Sequence, residues 1–209
     1  MSFYIAIIDY GMGNLKSVSK LLDYLEISNE ITSDPDYILN ADGVILPGVG
    51  AFGDAMDNLR NKGLVSTLNE IVRGGKPLFG ICLGLQLLFS RSYEMGQFSG
   101  LGYIPGEVIH FDKSKVGKVP QIGWNSVNFK KKDHYLIEDI PDNSYFYFVH
   151  SFYCVPENDG AILGQTQYGE ITFCSIASEG NIVATQFHPE KSSSLGITMY
   201  KNFVEFCRK

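Results

Sequence analysis

One thiol in the chain stands where a thiol can act. Gly80-Ile81-Cys82-Leu83-Gly84 follows the apolar run Pro77-Leu78-Phe79. The spacing glycine-x-nucleophile-x-glycine, placed between a strand and a helix, is that of a nucleophile elbow. Such a turn strains the backbone, leaves no room for side chains at the flanking glycines, and puts the sulfur at a helix N-terminus, where amide dipoles favour thiolate. The amide of Leu83, next in the chain, points where an oxyanion would form. The alternative for Cys82 is a buried structural cysteine. An elbow needs a base, and Gln186-Phe187-His188-Pro189-Glu190 supplies one. His188 and Glu190 lie two apart at the end of an expected strand, so their side chains lean to one face, where the carboxylate fixes the tautomer of the imidazole. His150 is the rival base. His110 and His134 read as surface residues. A second set of oxyanion donors is available in Leu46 to Met56, where Gly48, Gly50 and Gly53 let the backbone approach a ligand. Asp9 to Ser17 begins like a dinucleotide loop, but Lys16 stands where the third glycine belongs, which argues against nucleotide binding.

These residues need a frame that brings positions 82 and 188 together. The N-terminal half alternates short β-branched runs with helical periodicity. Strands are expected at FYIAIID, NEITS, ADGVILPG and KPLFGIC. Helices are expected at NLKSVSKLLDYLE, at DAMDNLRNKGLVSTLNEIVRGG as one element ending at its glycine pair, and at LGLQLLFSRSYE. Such alternation implies a mostly parallel sheet with helices on both faces, and catalytic groups at the carboxyl ends of its strands. Beyond about residue 100 the texture becomes short aromatic-rich strands separated by turns, from EVIHF to NIVATQFHP, before a last helix at SSLGITMYKNFVEFCR. The fold class is therefore α/β with an antiparallel extension in the C-terminal half. With no repeat and no linker, residues 1–209 are expected to form one domain.

Composition narrows the function classes. The 209 residues carry a net charge of −6, which disfavours a nucleic-acid backbone as partner. No run approaches a membrane span and the start is no signal peptide, so a cytoplasmic location is expected. Cys82, Cys154, Cys174 and Cys207 form no CxxC pair and are expected to be reduced thiols. Only KSKVGK and KKKDH break the mildly acidic background, and the three adjacent lysines of the latter read as a solvated loop. No cofactor or metal is called for.

PLFGICLGLQLL and FHPE together resemble the class I glutamine amidotransferases, whose Cys-His-Glu triad hydrolyses glutamine through a glutamyl thioester. The resemblance runs from the first strand to the last helix and implies a flavodoxin-like fold. DYGMGNLKSV, LPGVGAFGDAM, PQIGWN and YFVHSFY narrow it to the glutaminase subunits of histidine biosynthesis, which pass ammonia to a (β/α)8-barrel cyclase subunit. The neighbouring branches serve pyridoxal phosphate, aminobenzoate or guanine nucleotide synthesis. A peptidase or deglycase-like relative would keep the elbow without Gln86 and the His-Pro-Glu stretch, and a relict binding subunit would lack a triad member; none is missing. Carried over residue by residue, the resemblance implies Cys82 as nucleophile, His188 as base and acid, and Glu190 as orienting carboxylate. Leu83, Val49 and Gly50 would form the oxyanion hole, with one misaligned amide near Val49–Gly50 serving as an off-switch until the partner binds. Gln86, Gly50, Ser151 and Phe152 would hold glutamine, with Phe152 standing where a tyrosine is expected. Asn14, Trp124, Tyr147 and Lys191 match positions at the partner interface or ammonia gate.

Overall fold

The computed structural model describes residues 3–209. In chain order its strands are β1 (Ile5–Ile8), β2 (Asn29–Thr32), β3 (Gly43–Gly48), β4 (Leu78–Cys82), β5 (Phe89–Ser92), β6 (Phe98–Ser99), β7 (Ile104–His110), β8 (Gln121–Phe129), β9 (Ser144–His150), β10 (Phe152–Pro156), β11 (Ile162–Tyr168), β12 (Ile171–Glu179) and β13 (Ile182–Thr185). Its helices are α1 (Leu15–Tyr24), α2 (Pro35–Asn40), α3 (Phe52–Asn61), α4 (Leu64–Arg73), α5 (Leu83–Leu87), α6 (Lys113–Val116) and α7 (Ser193–Cys207).

Five parallel strands, in the order β2-β1-β3-β4-β13, make the centre of the sheet. Every residue of β1, β3, β4 and β13 is buried, as unbroken apolar runs covered on both faces must be. Alternation along β1 sorts the two cores. Ile5 and Ile7 pack with Val18 and Leu22 of α1 and with Phe203 and Val204 of α7. Ala6 and Ile8 face the other way, toward Ile38 of α2, Leu59 of α3 and Leu64 and Leu68 of α4. Past β13 the sheet continues antiparallel through β12, β10 and β7, and β8 and β9 form a ribbon joined to it by β11. There the pattern changes to buried–exposed alternation, because the ribbon has only one covered face.

Three expectations need correction. The single long helix is two, because Gly63 adopts a left-handed conformation (φ 68°) between α3 and α4. The helix expected from Leu83 to Glu94 ends after five residues, and Phe89–Ser92 joins β7 as a parallel strand. An apolar run such as LQLLF fits either structure, and here the carbonyls of Leu87, Leu88 and Phe89 are taken by the amides of Leu101, Ile104 and Gly102. The stretch SYFYFVHSFYC breaks at Ser151, leaving β9 paired with β8 and β10 with β7 and β12. Two helices had no counterpart among the expected elements: α2 starts at Pro35, capped by Asp34, whose carboxylate accepts from the Asp36 amide at 2.9 Å, and the short α6 is capped in the same way by Asp112, which accepts from the Ser114 amide at 2.9 Å.

The last helix seats the far side of the site. α7 packs on a 3₁₀ turn, Pro189–Lys191, and Gly196 is the point of closest approach: a Cβ there would fall on the Pro189 carbonyl. Gly196→Ala is therefore expected to cost about 1–3 kcal/mol, with melting temperature lower by roughly 2–4 °C for each kcal/mol in a chain of this size. Thermal unfolding followed by circular dichroism checks it.

Candidate active site

Cys82 ends β4 and caps α5 with φ 56° and ψ −107°, a conformation that L-residues avoid. The neighbouring glycines show what holds it there. A Cβ on Gly80 would lie 2.9 Å from Leu88 Cδ1 and 3.1 Å from Ala184 Cβ, and one on Gly84 would fall on the Leu46 carbonyl oxygen. The strained elbow read from the sequence is present.

His188 follows β13, which lies beside β4 in parallel register, Thr185 opposite Ile81. Strand and elbow thus deliver both groups to one end of the sheet. The reason expected for the His188–Glu190 contact was different. β13 stops at Thr185, and it is the 3₁₀ turn after His188 that swings Glu190 back, so that His188 Nδ1 lies 2.8 Å from Glu190 Oε1. Both side chains are nearly dry, 2% and 1% exposed. The His188 backbone is clamped as well. Its amide donates to the Tyr147 carbonyl at 2.9 Å, and its carbonyl accepts from Ser192 Oγ, which also accepts from the Tyr147 amide.

With Nδ1 occupied, Nε2 is left buried and, among the described residues, without a well-formed hydrogen bond, on the side of Cys82. Burial alone would lower the imidazole. The interaction with Cys82, and then that with Glu190, outweighs burial and raises it to about 10. His150, the rival base, is different. Its Nδ1 lies 2.8 Å from the Phe152 carbonyl and its Nε2 3.1 Å from Gln121 Oε1. Burial dominates and pushes it down to about 4, so it is a neutral ring with both nitrogens engaged. His110 is exposed, as expected. His134 is half-buried instead, because its Nδ1 accepts from the Leu136 amide and its Nε2 meets Ser178 Oγ.

A cavity of about 320 Å³ opens over the thiol, lined by Val49, Gly50, Cys82, Leu83, Gln86, Glu94, Val149, His150, Ser151, Phe152 and His188. Every residue expected at the oxyanion hole or the substrate lies on this wall. Gly50 is left-handed (φ 107°), and neither the Val49 nor the Gly50 amide donates a hydrogen bond within the described residues. Gln86 gives its amide hydrogens to the Phe152 carbonyl (3.2 Å) and Gln186 Oε1 (3.1 Å), leaving its own oxygen toward the cavity. Phe152 therefore contributes its carbonyl, while its ring packs edge-on against His110 on the neighbouring strand.

Two polar groups went unread in the sequence. Gln186, wholly buried, continues the relay from Gln86 and donates to Cys82 Sγ at 3.8 Å. A glutamine inside the strand-like Val183–Phe187 run was its only signal. Glu94 comes from the loop after β5, and its Oε2 accepts from the Phe52 amide at 2.7 Å, capping α3. Nothing local in the sequence marks it, because the contact spans 42 residues.

The expected interface residues sit just outside. Trp124 is 51% exposed, so core packing does not account for it, and its ring meets Tyr147 edge-on at 6.3 Å. Lys191 is exposed at the end of the 3₁₀ turn. Asn14 precedes α1, which touches that turn, and its Oδ1 accepts from Ser17 Oγ at 2.8 Å.

Comparison with known proteins fits this arrangement. Residues 6–206 match the sequence profile of the family described as Glutamine amidotransferase class-I. The chain belongs to the class-I glutamine amidotransferases. Among its relatives are imidazole glycerol phosphate synthase subunits HisH from Moorella thermoacetica, 53% identical with 98% of this chain and 95% of that protein covered, and from Methanosarcina barkeri, 50% identical with 97% and 98% covered. Among solved structures, a PurLQS complex from Thermotoga maritima contains a chain that superposes with a TM-score of 0.76 at 17% identity, covering 99% of each chain. That likeness concerns the class-I amidotransferase fold.

Because the folded His188 value lies above that of free imidazole, protonation of His188 stabilises the fold. That contribution is complete below about pH 6.5 and is lost as pH rises through about 10. In Cys82→Ala the largest raising interaction is gone, and the His188 ring should titrate well below its wild-type value. Imidazole proton shifts followed by NMR across the titration test this; an unmoved midpoint contradicts it.

Proposed function

We propose that the chain, acting as one amidotransferase domain, hydrolyses glutamine to glutamate and ammonia at Cys82 and passes the ammonia to a synthase partner. The observation that carries the reading is the left-handed Cys82 facing His188, whose far nitrogen is held by Glu190. Cys82 attacks the side-chain amide carbon of glutamine, and the oxyanion is received by the amides of Leu83 and of Val49 or Gly50. His188, kept protonated by Glu190 and the sulfur, gives its proton to the leaving ammonia. It then takes one from the water that cleaves the thioester, so each turnover returns the imidazole to its starting state. Gln86 Oε1 and the backbone at Ser151–Phe152 position the substrate. Glu94, the carboxylate on the cavity wall, receives the substrate ammonium.

The relatives' name, imidazole glycerol phosphate synthase subunit, supports a place in histidine biosynthesis with a (β/α)8-barrel cyclase as heterodimer partner. The product would be imidazole glycerol phosphate with AICAR, made in the cytoplasm. Exposed Ile122, Trp124 and Tyr145 on the β8–β9 ribbon, beside Tyr147, suit a docking face, with Asn14 and Lys191 at its edge serving docking or the ammonia gate. Waste of glutamine without an acceptor is avoided if the Val49–Gly50 amides turn to the substrate only when the liganded partner is bound.

Ammonia release from glutamine should be slow for the chain alone and fast with the cyclase subunit and its nucleotide ligand, and absent in Cys82→Ala. Equal rates in all mixtures would remove the partner gate and keep the glutaminase; no release in any would remove the glutaminase. For Glu94→Gln, which keeps an acceptor for Phe52, loss of a charged hydrogen bond should raise KM for glutamine roughly tenfold or more with kcat little changed. Steady-state kinetics of the complex decide it.

A further inference from the structure

Tyr10 lies just past β1, wholly buried, and its hydroxyl has no hydrogen-bond partner among the described residues. A buried, unpaired hydroxyl destabilises a fold, and phenylalanine would fill the same space without that penalty. Its neighbours fix where the oxygen sits. A Cβ placed on Gly48 would stand 2.5 Å from the Tyr10 oxygen, 2.8 Å from Leu83 Cβ and 3.0 Å from the Gly84 amide nitrogen. The hydroxyl therefore lies between the two backbone arms that flank the thiol: the end of β3 leading into Val49–Gly50, and the start of α5. Burial raises the phenol, and the nearby Cys82 raises it further, so it stays a protonated donor.

The amide and carbonyl of one peptide point in opposite directions. Turning the Gly48–Val49 peptide so that the Val49 N–H faces the cavity sends the Gly48 carbonyl away from it, and the Tyr10 hydroxyl stands against Gly48 with no partner among the described residues. We propose that Tyr10 is a positioning donor for the oxyanion arm, its hydroxyl holding the Gly48 carbonyl while the Val49 amide faces the substrate oxygen. The orphan hydroxyl is then a receptor for the productive arrangement. Gly48 is required because a side chain there would displace that hydroxyl and collide with Leu83. The inference rests on the glutaminase reading above.

The test is Tyr10→Phe in complex with the cyclase subunit, compared with wild type. The expected result is a roughly tenfold fall in kcat, equivalent to about 1.4 kcal/mol, with KM for glutamine within about twofold. Alkylation of Cys82 by iodoacetamide, a displacement that builds no oxyanion, should proceed at the wild-type rate, and the melting temperature should not fall. An unchanged kcat, or equal losses in kcat and in alkylation, overturns the role of Tyr10. A wild-type complex that releases no ammonia overturns the glutaminase reading, and this inference with it.

Discussion

The site depends on one close approach of backbone to backbone. Gly84, in the first turn of α5, lies against the Leu46 carbonyl so closely that no Cβ fits between them. That contact draws α5 over the end of β3, and β4 can then meet α5 only through a residue at φ 56°. The conformation costs on the order of 1–3 kcal/mol, and it persists because the surrounding parallel strands are buried from end to end. Strain at Cys82 and rigidity of the central sheet are therefore two aspects of one arrangement. The thiol stands clear of the sheet because everything beneath it is fully packed.

A second constraint is electrical. His188 and Glu190 are buried together, which is expensive unless the pair is well made. The 2.8 Å contact, the Tyr147 carbonyl on the His188 amide and the Ser192 bridge make it so. Among the described residues this leaves His188 Nε2 and Glu190 Oε2 without partners, and Nε2 is the atom the proposed chemistry uses. Gln186 plays the corresponding part for the sulfur: a donor fixed at its other end by Gln86, which is itself fixed on the Phe152 carbonyl. The cavity wall and the nucleophile are thus joined by one relay of amides, so that filling the cavity and orienting the thiol are mechanically linked.

What the sequence disclosed follows from the range of the forces involved. The elbow, the central strands and helices α1 and α7 were legible because each is written in a short window: glycine spacing, unbroken apolar runs, a 3.6-residue period. The pairing of Cys82 with His188 was legible through the elbow's need for a base and the family resemblance, while the β4–β13 adjacency that delivers it was written in no short window. Glu94 and Gln186 were not legible, because their partners lie 42 and about a hundred residues away. The expected helix from Leu83 to Glu94 failed for a related reason. Leu87-Leu88-Phe89 is apolar enough for either structure, and tertiary hydrogen bonds from Leu101, Gly102 and Ile104 decided it. Likewise His188-Pro189-Glu190 carried the right contact on the wrong geometry: side-chain alternation was expected, and a 3₁₀ turn was used.

On the reading proposed above, strand β9 serves a docking face and a reaction centre at once. Its period of two sends Phe146, Phe148 and His150 inward and Tyr145, Tyr147 and Val149 outward. The Tyr147 carbonyl holds the His188 amide, Val149 lines the cavity, and the strand ends at the corner that brings the Ser151–Phe152 backbone to the cavity wall. A partner seated on the Trp124–Tyr147 face would thus press on the strand that fixes His188 on one side of the cavity. The Val49–Gly50 arm, on the opposite wall, is held by no hydrogen bond from its own two amides. Rigid backing on one wall and an untethered arm on the other is the combination a gated hydrolase needs. The thiol, imidazole and carboxylate are assembled in the chain by itself, and on the proposed reading only the oxyanion donors remain to be brought into line.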